Sequence, residues 1–486
     1  MRKLLILTWF ALAAFAWLPA LADERPNVVL IIADDLGWED SGPYGNEKIR
    51  TPQLDRLAAG GMRFDNAILT CSSCSPSRSS IITCRYPHNT GAEQLHWPLP
   101  KEQTTFVELL KEAGYWTAAV GKWHLGSAVE DRFDVVGTWG TANPMNAGQA
   151  KGQTKGKAKR AGGNPSGCEG WVPTLRDRPR DKPFFLWLAA FDPHRPYAPG
   201  AIARPHEPAD VTVPPYFPDT PEVRRDLALY YDEVSRLDGF VGQVLDELDR
   251  QQVADNTVVL FMTDNGRPFP RCKTSLYDSG IKSPLIVRWP AKIKPASSTS
   301  SLVSSIDVGV SVLDIAGVKP AEPMQGKSFA AVLADPAATT RDFAFSEHNW
   351  HDYEARSRSV RGTRWKYIRN EYADLPNTPP ADAVRSPTYQ TMRELRDAGR
   401  LRPEQMTCFT KPLAKEELYD LAVDPHELAN LADEPQHAAT LAKLRAELDD
   451  WKRTTGGRTP AERTPDEFDR ETGDPLPGRQ GNRRPR

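Results

Sequence analysis

A handful of short segments carry the side chains that could do chemistry together. They are Asp34-Asp35, the run CSPSR from Cys74 to Arg78, His124 in GKWHLG, His194 in FDPHRPY, and Asp264-Asn265. Asp34, Asp35, Asp264 and Asn265 all offer oxygen donors. Three carboxylates gathered at one point repel strongly, so a hard divalent cation is their natural companion. Zinc fits poorly, because neither acidic segment contains a histidine. Each segment also has an ordinary reading: Asp34-Asp35 as a solvated turn, Asn265-Gly266 as a tight turn, and CSPSR as a helix start with Cys74 buried or disulfide-bonded.

The acidic pairs gain weight from what precedes them. Residues 27–33 (NVVLIIA) and 257–263 (TVVLFMT) are continuous apolar runs of the kind expected for central parallel strands covered on both faces. Asp34 and Asp264 stand at their C-terminal ends, where open α/β sheets place their chemistry. Further strands are expected at 63–69, 115–120, 183–191 and 284–289, and helices at 51–60, 75–83, 103–113, 221–251 and 305–316. The helix at 75–83 would aim its free N-terminal amides at the reacting centre. Beyond Arg341 the texture changes to short strands at 343–347, 358–361, 365–369 and 417–420 with a closing helix at 435–451, which predicts a small α+β unit on an antiparallel sheet.

The chain has 486 residues, ample for a sizeable core and more than one domain. Residues 1–22 read as a cleavable export signal: Arg2 and Lys3, an apolar run, then Ala20-Leu21-Ala22. The expected division is 23–335 as the catalytic domain, 336–454 as the C-terminal α+β subdomain and 455–486 as a disordered tail, with 141–167 a flexible basic insertion. A formal charge of −2 gives no reason to expect nucleic acid as a partner, so an anionic substrate must be met by local basic groups. No stretch beyond the signal reads as a stable membrane insertion, so an exported protein (periplasmic or secreted, lysosomal if eukaryotic) is expected. Of the six cysteines only Cys71 and Cys74 have CxxC spacing, and no thioredoxin-like context surrounds them. The oligomeric state stays open, a homodimer being one option.

With the stretches SSCSPSRSS, FDPHRPY, VPPYFPDTPEVRRDLALYYDEVSRLDGFVGQVLDEL and TDNGRPFP in view, the chain resembles the type I sulfatases of the alkaline-phosphatase superfamily from Asn27 to Trp451, and among them the heparan N-sulfatase group. The resemblance implies an α/β fold: a large mixed, mostly parallel sheet flanked by helices, with the smaller α+β domain behind it. It implies that the cysteine of CxPxR, here Cys74, is converted to Cα-formylglycine by a formylglycine-generating enzyme. The conversion makes chemical sense. A thiolate attacking sulfur would leave a blocked enzyme, whereas one hydroxyl of a hydrated aldehyde attacks and the other, once deprotonated, expels sulfate.

By the same resemblance Asp34, Asp35, Asp264, Asn265 and residue 74 hold calcium, with magnesium still open. Arg78 holds the anionic hydroxyl, Lys122 touches sulfate and nucleophile, and His124 helps to deprotonate the second hydroxyl. His194 protonates the leaving group and Lys273 binds sulfate. His96, His348 and His351 are candidates for contact with a sugar. The implied substrate is a sulfated glycan, foremost N-sulfoglucosamine of heparan-type chains. An O-sulfatase on another glycan, a phosphonate or phosphate monoester hydrolase, and an inactive glycan-binding relative are the alternatives. One departure stands out: family members usually read TGR after the nucleophile's helix, where this chain has Thr83-Cys84-Arg85. A cysteine where glycine supports a left-handed turn puts the helix ending and the maturation of Cys74 in question.

Overall fold

A computed structural model describes residues 25–137 and 165–478. The expected signal at 1–22, nearly all of the insertion at 141–167 and the end of the tail lie outside the described residues.

Among the described residues the larger sheet has eight strands: β1 (Asn27–Ala33), β2 (Met62–Ile68), β3 (Trp116–Gly121), β4 (Val135–Gly137), β5 (Phe184–Ala189), β6 (Thr257–Thr263), β7 (Lys282–Arg288) and β8 (Ser297–Ser304). Their order is β4-β3-β5-β1-β6-β7-β2-β8. Only β7 runs against the rest, pairing antiparallel with both β6 and β2. β1 sits between β5 and β6, parallel to both, and alternate side chains enter two separate cores: Val28, Leu30 and Ile32 on one face, Val29, Ile31 and Ala33 on the other. Burial on both faces is why the run is apolar without alternation.

The long helix Pro221–Arg250 covers the second face with Leu227, Tyr230, Val234, Leu237, Val241 and Val244. Pro221 occupies its first turn and the Thr220 side chain accepts the Val223 N–H, which together fix where it starts.

A second sheet of β9 (Ala344–His348), β10 (Ser357–Arg361), β11 (Trp365–Asn370) and β12 (Glu416–Asp420) is antiparallel throughout. The helix Ala438–Thr455 closes it, placing Leu441, Leu444, Leu448 and Trp451 against Val360, Tyr367 and Leu418. This sheet is anchored beside the nucleophile's approach: the Glu347 N–H donates to the Thr70 carbonyl at 2.8 Å and the Ser346 hydroxyl to the Leu69 carbonyl at 2.6 Å. A fully buried Lys366 joins Asp278 and Glu427, each at 2.6 Å, and Arg361 also pairs with Asp278. Removing one member of such a network strands a charge out of water, so it locks the two sheets in one arrangement.

The strands β4 and β8 were not expected. Both are edge strands, one of three residues and the other reading SSTSSLVS, and neither has the apolar density of a buried strand.

The tail departs from expectation more sharply. Residues 456–478, read as disordered, run as an ordered strap over the second sheet's rim. The Trp350 indole donates to the Pro465 carbonyl at 3.0 Å, the Glu467 N–H to the Asp352 carbonyl at 3.0 Å, and the Tyr353 hydroxyl to the Asp469 carbonyl at 3.1 Å. Arg470 pairs with Asp466 and donates to the Glu354 carbonyl. The strap is mostly polar because backbone groups and charged side chains make most of its contacts, with Phe468 alone packing on the cluster of Tyr353, Val384 and Tyr389, and composition carries little sign of that.

Candidate active site

Five strand ends meet at one edge of the large sheet. Pairing Ala33 with Thr263 sets Asp34 beside Asp264, whose N–H donates to the Ala33 carbonyl at 3.2 Å. On the other flank the Asp34 N–H donates to the Asp192 carbonyl just past β5, two residues before His194, at 2.9 Å. The Lys122 N–H, just past β3, donates to the Ala189 carbonyl at 2.9 Å. β2 runs toward the same edge and leads to Cys74, the first residue of the wholly buried helix Cys74–Thr83.

The charges interlock. Arg78 donates through Nε to Asp264 Oδ2 at 2.8 Å and through Nη1 to the Lys122 carbonyl at 3.0 Å, with Nη2 3.8 Å from Asp34 Oδ1. Lys122 Nζ pairs with Asp34 Oδ2. Lys273 Nζ lies 2.8 Å from Asp35 Oδ1, and the Asn265 amide donates to that same oxygen at 2.5 Å. Cys74 Sγ is 3.8 Å from Asp35 Oδ1. Asp34, Cys74 and Asp264 each offer an atom within 4.8 Å of the others.

Burial raises the Asp264 carboxyl above the usual carboxylate range, with Asp34 adding to the rise against the pull of Arg78. Asp34 Oδ1 and Asn265 Oδ1 are buried without a hydrogen-bond partner. Orphaned oxygen acceptors at the centre of an acidic cluster are what a hard cation needs, so these residues fit the divalent ion the acid pairs imply. Burial pushes the Cys74 thiol well above its usual range despite Lys122 and Lys273. An unmodified thiol so held is a poor nucleophile, which favours a modified residue at this position.

Asp35 (φ 73), His96 (φ 66), His124 (φ 57) and Thr274 (φ 64) all adopt left-handed backbone at or near this edge. Such conformations cost free energy and persist where the surroundings enforce them, typically at functional sites. Cys84 also lies there, with φ 56 and ψ 33, and the Arg85 N–H donates back to the Ser80 carbonyl at 3.2 Å. The helix therefore ends as it would with glycine. The thiol is accommodated because Gly309 faces it, where any Cβ would collide with the sulfur.

The remaining expected residues fall into two groups. His194 donates its Nδ1–H to the Arg195 carbonyl at 2.5 Å and points Nε2 toward Asp35 Oδ2 at 3.7 Å. His124 bonds through Nε2 to His96 Nδ1 at 2.8 Å, and its buried Nδ1 has no partner. Burial, reinforced by Lys122 and Lys273, lowers His96 to about 4. Burial and His96 hold His124 well below its ordinary value, so this pair is neutral near pH 7. His351 reaches Ser73 Oγ at 2.8 Å and so braces the residue before Cys74. His348 faces a separate cavity lined by Tyr277, Asn370 and Glu417; among the described residues no hydrogen bond ties it to the carboxylate cluster.

Two groups escaped the sequence reading. Trp350 packs with Leu95 against Cys74. Asp382, on the short helix Ala381–Val384, brings Oδ2 to 4.0 Å from His194 Nε2. Burial opposes its ionisation, but Lys273, His194 and Arg195 keep its carboxyl below the usual range. No signal in ADLPNTPPADAV marks it, since the segment has neither apolar periodicity nor a flanking strand.

The strap ties this face together. The Gln94 amide donates to Thr464 Oγ1 at 2.9 Å, and Asp352, held through its carbonyl by Glu467, accepts the Ala381 N–H at 2.8 Å. Ending the chain after Gly457 is expected to lower kcat/KM at least about tenfold, mostly through KM, because the loops carrying Gln94, Asp352 and Asp382 lose their positioning. Steady-state kinetics of the shortened protein check this.

The family model described as "Sulfatase" matches residues 26–318, and that described as "N-sulphoglucosamine sulphohydrolase, C-terminal" matches 272–378. The human N-sulphoglucosamine sulphohydrolase is 32% identical, over 89% of this chain and 91% of its own. An ulvan-active sulfatase of Formosa agariphila is 30% identical, over 89% and 76% respectively. Among solved structures, a protein in complex with its substrate D-glucosamine-2-N,6-O-disulfate superposes with a TM-score of 0.68 at 20% identity, covering 90% of this chain and 99% of that one. A 2-O GAG sulfatase does so at 0.65 and 22%, covering 89% and 93%.

Proposed function

Because the chain belongs to the sulfatase family, we propose that this sulfuric ester hydrolase acts on sulfated glycans with the 2-N-sulfate of glucosamine in heparan-type chains as its preferred target. The observation that carries the catalytic reading is Cys74 lying 3.8 Å from Asp35 inside a ring formed by Asp34, Asp264, Arg78, Lys122 and Lys273. The N-sulfate preference rests on likeness to the human enzyme across nearly the whole chain and on the matched C-terminal region. The ulvan-active relative keeps an O-sulfatase as the second reading.

Asp34, Asp35, Asp264, Asn265 and residue 74 would hold a hard divalent cation, since the donors are all oxygens once Cys74 is matured, and the family resemblance makes that ion calcium. In the matured enzyme the hydrated aldehyde at residue 74 supplies the attacking hydroxyl and the dication supplies positive charge beside it. Arg78, fixed between Asp264 and the Lys122 carbonyl, stabilises negative charge at residue 74 without reorganising. Lys122 and Lys273 do the same for the transferred group. His194 gives the proton on Nε2 to the bridging atom as its bond to sulfur breaks, so glucosamine leaves as a neutral amine. His124 accepts at Nδ1 the proton whose loss lets sulfate depart. His96 orients it and His351 braces the nucleophile's loop.

Residues 23–335 would form the catalytic domain and 336–454 the subdomain that completes the pocket. Maturation requires a formylglycine-generating enzyme. No helix among the described residues is long and apolar enough to cross a membrane, in keeping with export behind the signal at 1–22. The deciding experiment measures sulfate release from N-sulfoglucosamine and from glucosamine 6-sulfate by matured protein. The N-sulfate is expected to be favoured at least about tenfold in kcat/KM; the opposite preference transfers the assignment to an O-sulfatase.

A further inference from the structure

We infer that Asp382 is the specificity residue that selects a sulfamate over a sulfate ester, by accepting the hydrogen carried on the bridging nitrogen. The inference deepens the proposed N-sulfate preference and rests on it. Its basis is geometric. His194 Nε2, the proposed proton donor to the leaving group, and Asp382 Oδ2 are 4.0 Å apart. That is too long for a hydrogen bond and well suited to one atom seated about 3 Å from each. Asp382 Oδ1 accepts the Ala383 N–H at 2.8 Å, which fixes the carboxylate and leaves Oδ2 turned toward His194. Both side chains keep access from outside, at 31% and 27% exposure, unlike the fully buried Asp34, Asp35 and Asp264. Asp382 therefore faces the side from which a leaving group departs.

The two substrate classes differ at that one atom. The bridging nitrogen of a sulfamate bears a hydrogen and can donate it to a carboxylate. The bridging oxygen of an ester has only lone pairs and is repelled. A site built around such a donor rejects the analogue that lacks it, because the carboxylate is left unpaired and desolvated. The helix that carries Asp382 is held for this task by Asp352, which accepts the Ala381 N–H, and by Arg385, which donates to the Gly473 carbonyl of the strap.

The test compares kcat/KM on N-sulfoglucosamine with that on an aryl sulfate ester, for matured wild type, D382N and D382E. D382N is expected to lose on the order of ten- to a hundredfold on the sulfamate and to gain several-fold on the ester. Movement in opposite directions is something a loosened fold cannot produce. D382E, which restores the charge on a longer arm, should recover part of the sulfamate rate. Equal losses on both substrates in D382N and D382E, or no change in their ratio, overturn the role of Asp382 while leaving the N-sulfate preference of the wild type standing. Wild type that turns over the ester and not N-sulfoglucosamine overturns the substrate reading, and this inference with it.

Discussion

Cys74→Ala removes sulfate release altogether, with kcat falling on the order of 10⁴-fold or more, as it does when other covalent nucleophiles are deleted. The loss should be in kcat, since Arg78, Lys122 and Lys273 remain to bind the sulfate group. The fold should survive: Cys74 is buried at 2% exposure and touches Leu95 and Trp350, so truncation removes a single sulfur from a small cluster. Peptide mass spectrometry of the wild type across Cys74 should find the aldehyde in place of the thiol. A wild-type protein that is fully active with an intact cysteine, or a variant retaining a hundredth of the activity, would falsify the assignment. The thiol makes the first of these outcomes chemically difficult, because burial holds it protonated.

Much of this candidate site is legible in the sequence, because the strands that carry it are buried on both faces. β1 and β6 are buried on both faces, so their interiors are apolar without alternation and the acidic residue that follows each run is conspicuous. The same holds for β5 before Asp192 and His194. What the runs cannot announce is their order: that β3, β5, β1 and β6 lie side by side follows from pairing between segments far apart in the chain. Polar contacts left still less trace. Asp382 sits on a four-residue helix without periodicity, and the strap at 456–478 is held by backbone carbonyls accepting from Trp350, Tyr353 and Arg385. The α+β subdomain was visible through its alternating strands, while β8 hid behind serines because an edge strand needs little apolar surface.

Chelation should silence the enzyme as completely as any single substitution short of Cys74, and the charges say why. The inner ring contains three carboxylates, Asp34, Asp35 and Asp264, and three cations, Arg78, Lys122 and Lys273, so its formal charge is zero. A neutral ring gives no net attraction to a sulfate group and no net stabilisation of charge growing on it. One bound dication turns that ring to a formal +2, concentrated where water is excluded and such charge acts most strongly. Exhaustive dialysis against EDTA is therefore expected to lower kcat/KM by about 10³-fold or more, with calcium restoring it more fully than magnesium. Stability should move with it. Without the ion, Asp34 Oδ1 and Asn265 Oδ1 stay buried and unpartnered, so the chelated protein should unfold earlier. Calcium at a hundred times its dissociation constant should recover about 2.7 kcal/mol, read as a concentration-dependent rise in Tm. Asp264→Asn offers the same test without a chelator: it takes one charge from the ring and leaves Arg78 facing an amide, so its activity should fall comparably and calcium should no longer raise its Tm. Full activity after chelation, together with a Tm indifferent to calcium, would mean that the three carboxylates are balanced by Arg78, Lys122 and Lys273 alone.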